Sequence, residues 1–460
     1  MNVVLISNPT NQFHKADFPP PGIAYLGGTA RRAGHKVLLI DGQRWNISKI
    51  VEDSCAASPD LIGITCWTIG RGLVWELCEE LKKKLPQVML VIGGPHATMH
   101  PEHILQKTHA QAVAIGEGEE TFLELLTVLE KGEDFKSIPG LVVRGENNTP
   151  VFTTSRHSIE NIDTIARPYY DGFQDFNFAD YEGFPALPHP TASIITSRGC
   201  VFNCSYCASV RFWGRRWRFR TAENVLEEIR YLVEEKKVKS LYFWDDNFPV
   251  DKQRAITICQ GIIDNGWSLQ WACSSHVTML NLEILTKMKK SGCRNIDFGV
   301  ESGSDRILKR INKKQTRQDI IRAFDLTHEV GIAARAYLIV GNMGEDEESI
   351  DETIELISRI QPRSSIGAAL LMLLPGTDVY KEAVEKGFIK EDFWLDSDAI
   401  AYNLMEHSLP ELKKLRKRLM WGIAKSKKGI KPKITYLLKS VFYEFPILAI
   451  FRSFVPKKLR

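Results

Sequence analysis

Two runs of short, continuously apolar segments, each alternating with helix-length segments, constrain this chain more than any other feature. The first run places strands at 2–7, 36–41, 60–65, 88–93 and 111–115, with helical patterning between them that starts near 23–33. Apolar strands without polar alternation belong to parallel sheets covered by helices on both faces. Residues 1–135 are therefore expected to form a five-stranded, doubly wound α/β domain. The second run has strands at 192–197, 239–244, 268–273, 295–300, 333–340 and 366–373. Six such units suit a partial barrel over 191–385, with its chemistry at the C-terminal ends of the strands. Within it, Thr221 can cap a helix at 222–236 whose stripe is Val225, Leu226, Ile229, Leu232 and Val233. Asn281 can cap the next helix and Gly292 end it. Residues 136–190 read as an irregular linker and 386–460 as a helical, basic extension. A chain of 460 residues exceeds what one core usually supports, so several domains are expected.

Nine cysteines need a compartment before they can be read. The apolar run Met1–Ile6 stops at Ser7-Asn8-Pro9, too short for a leader, and no stretch reaches the ~18 apolar residues of a bilayer span. The expectation is a cytoplasmic protein with reduced thiols. Three of them are close together, in Cys200-Val-Phe-Asn-Cys204-Ser-Tyr-Cys207, just after the first strand of the second run. Three thiolates on one loop can converge on an inorganic centre, and a four-iron cubane held by three cysteines keeps one iron open. The alternatives are a zinc knuckle or three incidental core cysteines. The paired C-x-x-C arm of most zinc sites is missing here.

Ser197-Arg198-Gly199-Cys200-x3-Cys204-x-Tyr206-Cys207 resembles the signature of the radical S-adenosylmethionine (SAM) superfamily. The resemblance implies a [4Fe-4S] cluster on Cys200, Cys204 and Cys207, SAM on the open iron, and a 5′-deoxyadenosyl radical that abstracts hydrogen from substrate. An electron donor such as flavodoxin or ferredoxin is implied too. By the same resemblance Tyr206 is part of the cofactor site. Asp245 or Asp246, ending the second strand in Phe243-Trp-Asp-Asp-Asn247, would contact the SAM amino group. Glu301 or Ser302 would contact its ribose or amino acid part, and the backbone at Gly341 its adenine. Leu374-Pro-Gly-Thr377 follows the sixth strand as in that family. Arg218 or Arg220, in the basic-aromatic run 211–220, would face an anion of SAM or substrate. Cys259, Cys273 and Cys293 read as buried small apolar residues.

The strand ends of the first domain carry Gly22, Thr65, Thr68, Gly93-Gly94-Pro95-His96 and Gly116-Glu117-Gly118-Glu119. Ligands of doubly wound sheets bind at such ends, and glycines let the backbone approach a broad flat ring. The set resembles the Rossmann-like cobalamin-binding domain attached to many radical SAM enzymes, which implies that these residues bind cobalamin. No G-x-G-x-x-G follows the first strand, which argues against a nicotinamide fold. The loop Gln12-Phe-His14-Lys-Ala-Asp17 lacks the Asp and Gly of the Asp-x-His-x-x-Gly motif, so His14 is not expected to ligate cobalt. His96 is expected near the corrin. Cys55, Cys66 and Cys78 do not resemble the second cluster site of the tRNA methylthiotransferases, and no nucleic acid partner is expected.

Residues 411–460 carry 15 Lys and Arg against two Glu, which leaves the first 410 residues acidic although the whole chain is +4. The strip 441–455 is apolar and bordered by Lys457, Lys458 and Arg460. It fits either a helical cap on the barrel or a peripheral contact with the inner face of a membrane. The resemblance then implies a fold of a cobalamin-binding domain, a (β/α)6 partial TIM barrel and a helical extension. It also implies methylation of an unactivated carbon in a small-molecule or lipid-like substrate, with methylcobalamin as donor. A non-methylating oxidative cyclase or ring-forming enzyme and a non-catalytic cluster- and cobalamin-binding protein are the alternatives.

Overall fold

The computed structural model describes residues 1–10, 16–184, 186–364, 366–396 and 399–426. His14 and the strip 441–455 lie outside them. The first sheet has seven strands in the order β2-β1-β3-β4-β5-β6-β7. They are β1 (Asn2–Ile6), β2 (Lys36–Ile40), β3 (Leu61–Thr65), β4 (Met89–Gly93), β5 (Ala112–Ala114), β6 (Leu141–Arg144) and β7 (Pro150–Phe152). The first five are parallel, as the apolar runs require, and β6 and β7 are antiparallel. The expectation of five strands ending at residue 135 is therefore corrected. β6 lies in the segment read as linker, where Leu141 and Val143 are buried on one face of the sheet and Val142 on the other.

The second sheet is six-stranded and fully parallel, in the order β15-β14-β13-β12-β11-β8. Its strands are β8 (Thr191–Ile194), β11 (Ser240–Phe243), β12 (Gln270–Ser275), β13 (Cys293–Glu301), β14 (Ala333–Val340) and β15 (Ile366–Leu370). Between β8 and β11 a short antiparallel ribbon pairs β9 (Ser197–Arg198) with β10 (Arg218–Phe219). No pairing joins β8 to β15 among the described residues, so the barrel is open. Thr221 caps Ala222–Arg230, accepting from the Asn224 N–H, and a π-helical turn, Tyr231–Glu235, continues it. Asn281 caps Leu282–Lys290, and Gly292 follows in the left-handed region at φ +103°. A Cβ at Gly292 would stand 2.0 Å from the Leu269 carbonyl oxygen, so this turn needs glycine twice over.

One apolar core runs through both domains, from Leu5, Ile23 and Tyr170 to Leu241, Trp271 and Phe298. Cys259, Cys273 and Cys293 are buried in it, as expected. A second core, with Cys66 and Cys78, covers the other face of the first sheet. The final described helix, Leu409–Ser426, buries Leu412, Leu415, Leu419 and Ile423 against the helix Glu347–Ile360 and the strands β14 and β15. Among the described residues no helix is long and apolar enough to cross a membrane.

Candidate active site

The cysteine loop leaves the β9–β10 ribbon through Gly199 at φ +85°, where a Cβ would strike the Arg216 carbonyl oxygen at 2.5 Å. Its far side is held by a second loop, 311–315. The Asn312 side chain donates to the Asn203 carbonyl at 2.7 Å, and the Ser205 N–H to the Ile311 carbonyl at 3.0 Å. Phe202 stacks on His276 with ring centroids 3.8 Å apart, and the His276 ring reaches the Lys313 carbonyl at 2.9 Å. The Val379 N–H donates to Ser205, which ties in the segment after the sixth barrel strand. Cys200, Cys204 and Cys207 are thus presented by a loop anchored at both ends, each half-buried and free of disulfides. Burial pushes all three thiols up, Cys207 to about 11. Iron supplies the positive charge that drives such thiols to thiolate.

No group of three His, Cys, Asp or Glu side chains among the described residues closes on one point as ligands of a single ion would. Each thiolate of a cubane binds a separate iron, so its sulfurs need not meet at one point. The anchored, half-buried loop fits that group.

Beside the loop lies a buried polar triad. Tyr206 donates its hydroxyl to Glu301 at 2.8 Å, and Lys313 Nζ lies 2.8 Å from the same carboxylate oxygen and 3.1 Å from the tyrosine oxygen. Glu301 adopts φ +62°, and Asn312 and Lys314, flanking Lys313, also have positive φ. Three non-glycine residues in the left-handed region around one ion pair mark a place where the backbone is held for a purpose. A Cβ on Gly299 would lie 2.6 Å from Lys313 Nζ, so the missing side chain makes room for the ammonium. Burial alone would lower the Lys313 pKa, but the Glu301 carboxylate together with the Cys204 and Cys207 sulfurs offsets it and the ammonium is held above its ordinary value. Sequence reasoning missed Lys313, because it stands in a run with Lys309, Arg310 and Lys314 that reads as a solvated face.

The two aspartates ending β11 have separate fates. Asp245 is buried and accepts four hydrogen bonds, from the N–H and hydroxyl of Thr196 at 2.6 and 2.5 Å and of Ser197 at 3.2 and 2.8 Å. It fixes the turn that feeds Arg198, Gly199 and Cys200, which corrects its candidacy as a SAM contact. Asp246 is exposed, accepts from Ser209, and lies in the electrostatic field of Cys200 and Cys207. Ser302 is likewise used internally, facing Thr353 and accepting from the Ser304 N–H. The Gly341 N–H is taken by Glu345 and its carbonyl already accepts from Asn403. Arg218 and Arg220 are engaged within the protein. Arg218 holds Glu117 and the Ile159 carbonyl, and Arg220 holds Glu228 and Asn224, all buried or half-buried.

At the strand ends of the first domain, Gly94 turns at φ +97°, and a Cβ there would press Thr65 Cγ2 at 2.9 Å and the Cys66 carbonyl at 3.1 Å. Gly22 and Gly116 face open space. Gly93 accepts from the Cys66 N–H, Thr68 receives Arg71 on its carbonyl, Pro95 opens the helix Pro95–Met99, and Gly118 precedes Glu119–Glu130. Trp67 and Ile69 beside them are 56% and 48% exposed. Large apolar side chains left open beside bare backbone fit a broad, partly apolar ring such as the corrin. His96, expected near the corrin, is set back from that face behind Thr68. It is fully buried, with Nδ1 3.3 Å from the Thr68 hydroxyl, and packs with Trp75, His100 and His103. Burial lowers its pKa to about 3. Glu117 and Glu119 depart from their expected place on that face: they bind Arg198 and Arg218 of the second domain.

Comparison with known proteins agrees with this layout. The description Radical SAM superfamily matches residues 194–357, and B12 binding domain matches 14–126. The chain is 33% identical over 404 residues to an uncharacterized methyltransferase, PH0819, of Pyrococcus horikoshii, covering 86% of this chain and 85% of that one. It is 26% identical over 381 residues to the anaerobic magnesium-protoporphyrin IX monomethyl ester cyclase of Rubrivivax gelatinosus, covering 80% and 67%. Among solved structures, the cobalamin-dependent SAM radical enzyme OxsB, with aqua-cobalamin and SAM bound, superposes with a TM-score of 0.76. Its sequence is 16% identical, and the match covers 95% of this chain and 70% of that one. With the cysteine loop, the open barrel and the glycine-lined strand ends in place, the chain belongs to the cobalamin-binding radical SAM enzymes, which use a [4Fe-4S] cluster, SAM and cobalamin.

Proposed function

We propose that this enzyme transfers a methyl group to an unactivated carbon of a small-molecule or lipid-like substrate. The observation that carries the reading is the direct junction of the two cofactor-bearing edges. The strand-end loop of the first domain, at Glu117 and Glu119, meets the strand that leads into Cys200. The name of the Pyrococcus relative supports methyl transfer. When bound, the cluster with SAM supplies a hydrogen-abstracting radical, and cobalamin supplies a transferable methyl group.

The chain's own residues do the rest. Cys200, Cys204 and Cys207 hold the cluster. Asp246 and the Tyr206–Glu301–Lys313 triad would offer an anion, a hydroxyl and a cation to the polar groups of SAM, which favour charge-assisted hydrogen bonds. Gly22, Gly94 and Gly116 admit the ring, with Thr65, Thr68, Gly93 and Pro95 shaping the backbone around it. The inward side of the barrel offers Tyr242, bonded to Asp297 and Ser274 at 3.0 Å each, and Tyr337, 41% exposed. This polar, half-open face suits a substrate with hydrogen-bonding groups. A reductant of the flavodoxin or ferredoxin type completes the system.

Anaerobically reconstituted protein, with hydroxocobalamin, SAM and reductant, should be offered lipid, peptide and tetrapyrrole candidates. Equal yields of 5′-deoxyadenosine and S-adenosylhomocysteine per methylated product are expected. Deoxyadenosine with product but without S-adenosylhomocysteine would replace methyl transfer by ring formation, a second reading that the cyclase relative favours.

A further inference from the structure

We infer that Arg198, Arg218, Glu117 and Glu119 form an interdomain latch whose role is to hold the cobalamin-facing loop at a fixed position relative to the cysteine loop. The inference rests on the reading of both loops as cofactor sites but concerns residues that touch neither cofactor.

Arg198 sits on β9, two residues before Cys200. Its Nη1 donates to Glu117 Oε1 and Glu119 Oε2, each at 3.2 Å, its Nη2 donates to Glu119 Oε1, and its guanidinium lies 5.0 Å from the centre of the Trp213 ring. Its ladder partner on β10, Arg218, donates to Glu117 Oε2 and to the Ile159 carbonyl, both at 2.7 Å. The Ile159 N–H also donates to Glu117 at 2.7 Å. The four side chains are at most 10% exposed. Two cations and two anions are thus sealed at a domain boundary with formal charge zero.

Their placement says what the latch controls. Glu117 lies between Gly116 and Gly118, and the Gly116 N–H is tied at 3.0 Å to the Thr98 hydroxyl, which donates to the Gly94 carbonyl just after β4. On the other side, Asp245 clamps Thr196 and Ser197 immediately before Arg198. A rigid strand end, a fork of fixed geometry and a rigid turn therefore connect one cofactor edge to the other without a flexible link. Buried ion pairs add little net stability over apolar packing, and their best-attested use is to fix one arrangement among several. A planar guanidinium that reaches two carboxylates cannot be replaced by an ammonium without losing one of them. Arg198 is accordingly a positioning residue.

The test uses Arg198→Lys and Glu119→Gln in full-length protein, loaded with hydroxocobalamin and reconstituted cluster. Hydrogen exchange is followed at 116–118 and at 199–207, and pulsed electron paramagnetic resonance reports the separation of reduced cobalt from the reduced cluster. Each substitution, although made on one side, should speed exchange on both sides by about tenfold or more, as expected for loss of a charge-assisted bond. The distance distribution should broaden while cluster absorbance is kept. Exchange that rises only beside the altered residue, with an unchanged distribution, would overturn the latch. Should the protein take up no cobalamin, the reading of the first domain fails, while the exchange measurement on unloaded protein still decides the latch. Should Arg198→Lys not fold, Glu119→Gln, which keeps size and removes only charge, gives the same readout.

Discussion

Lys313 and Glu301 form a buried ion pair at 2.8 Å, beside the loop that carries three cysteines. Neither is solvated, so each depends on the other and on the Tyr206 hydroxyl. Lys313→Met should therefore strand a buried carboxylate and cost about 3–5 kcal/mol. The double change Lys313→Met with Glu301→Gln should cost markedly less than the sum of the two single changes. Urea unfolding of the four proteins in a double-mutant cycle measures the coupling. Additive losses would show that the pair is not linked.

Adjacent aspartates should respond oppositely to the same substitution. Asp245→Asn puts an NH2 group among four donors, which leaves donors unsatisfied and costs on the order of 3 kcal/mol. The cysteine turn should loosen and iron content fall. Asp246→Asn keeps size at an exposed position, so the fold and cluster absorbance should persist while SAM binding weakens about tenfold, the worth of one charge-assisted bond. Iron analysis and SAM titration of both variants separate the roles. Equal loss of SAM affinity with intact iron in both would contradict the assignment.

The strands were legible because parallel, doubly covered sheets demand unbroken apolar runs, and these runs stood clear of their neighbours at all eleven expected positions. β6 was not, because its four residues lie between Pro139-Gly140 and Gly145, where turn residues dominate any local reading. The cysteine loop was legible as a spacing. The fates of Asp245 and Asp246 were not, since both lie in the turn that follows β11, where the sequence does not say which of two neighbours faces inward. Glu117 and Glu119 read as ligand contacts because charged residues among glycines at strand ends usually face a ligand. Their true partner, Arg198, lies 81 residues from Glu117. Lys313 failed for the same reason: tertiary burial selected one lysine from a run of four basic residues.

Acid should destabilise the folded chain through its buried histidines. Burial holds His96 at about 3 and His276 at about 4, against an ordinary value of 6.5. Between these values the unfolded chain takes a proton that the folded one refuses, so stability is lost as pH falls below about 6.5. For His96 the loss reaches at most about 5 kcal/mol. Glu345 acts in the opposite sense. Burial raises it to about 7, so its contribution is fullest below its ordinary 4.5 and fades as pH rises to 7. Between about pH 4.5 and 6.5 the two effects therefore oppose each other. Unfolding midpoints across pH 4–8 should show a shallower acid limb for His96→Leu and a shallower slope between 4.5 and 7 for Glu345→Gln. An unchanged profile in both would remove these groups from the account.

The helix Leu409–Ser426 offers two substitutions that differ by one position and should differ several-fold in cost. Leu419 is buried against the barrel, so Leu419→Ala removes apolar contact and leaves a cavity, at about 2–5 kcal/mol. Arg418 meets Asp351 at 2.7 Å and Glu347 at 3.0 Å, but all three side chains are about half-exposed, and Arg418→Ala should cost under about 1 kcal/mol. Ser408 and Glu411 close the entry of this helix, with the Ser408 N–H and hydroxyl both donating to the Glu411 carboxylate at 2.7 Å. An entry fixed in this way, followed by a buried stripe, is what a packed cap requires. A basic helix lying free of the barrel would tolerate Leu419→Ala as well as Arg418→Ala. Chemical unfolding of the two variants therefore decides whether this basic segment is part of the barrel's own core.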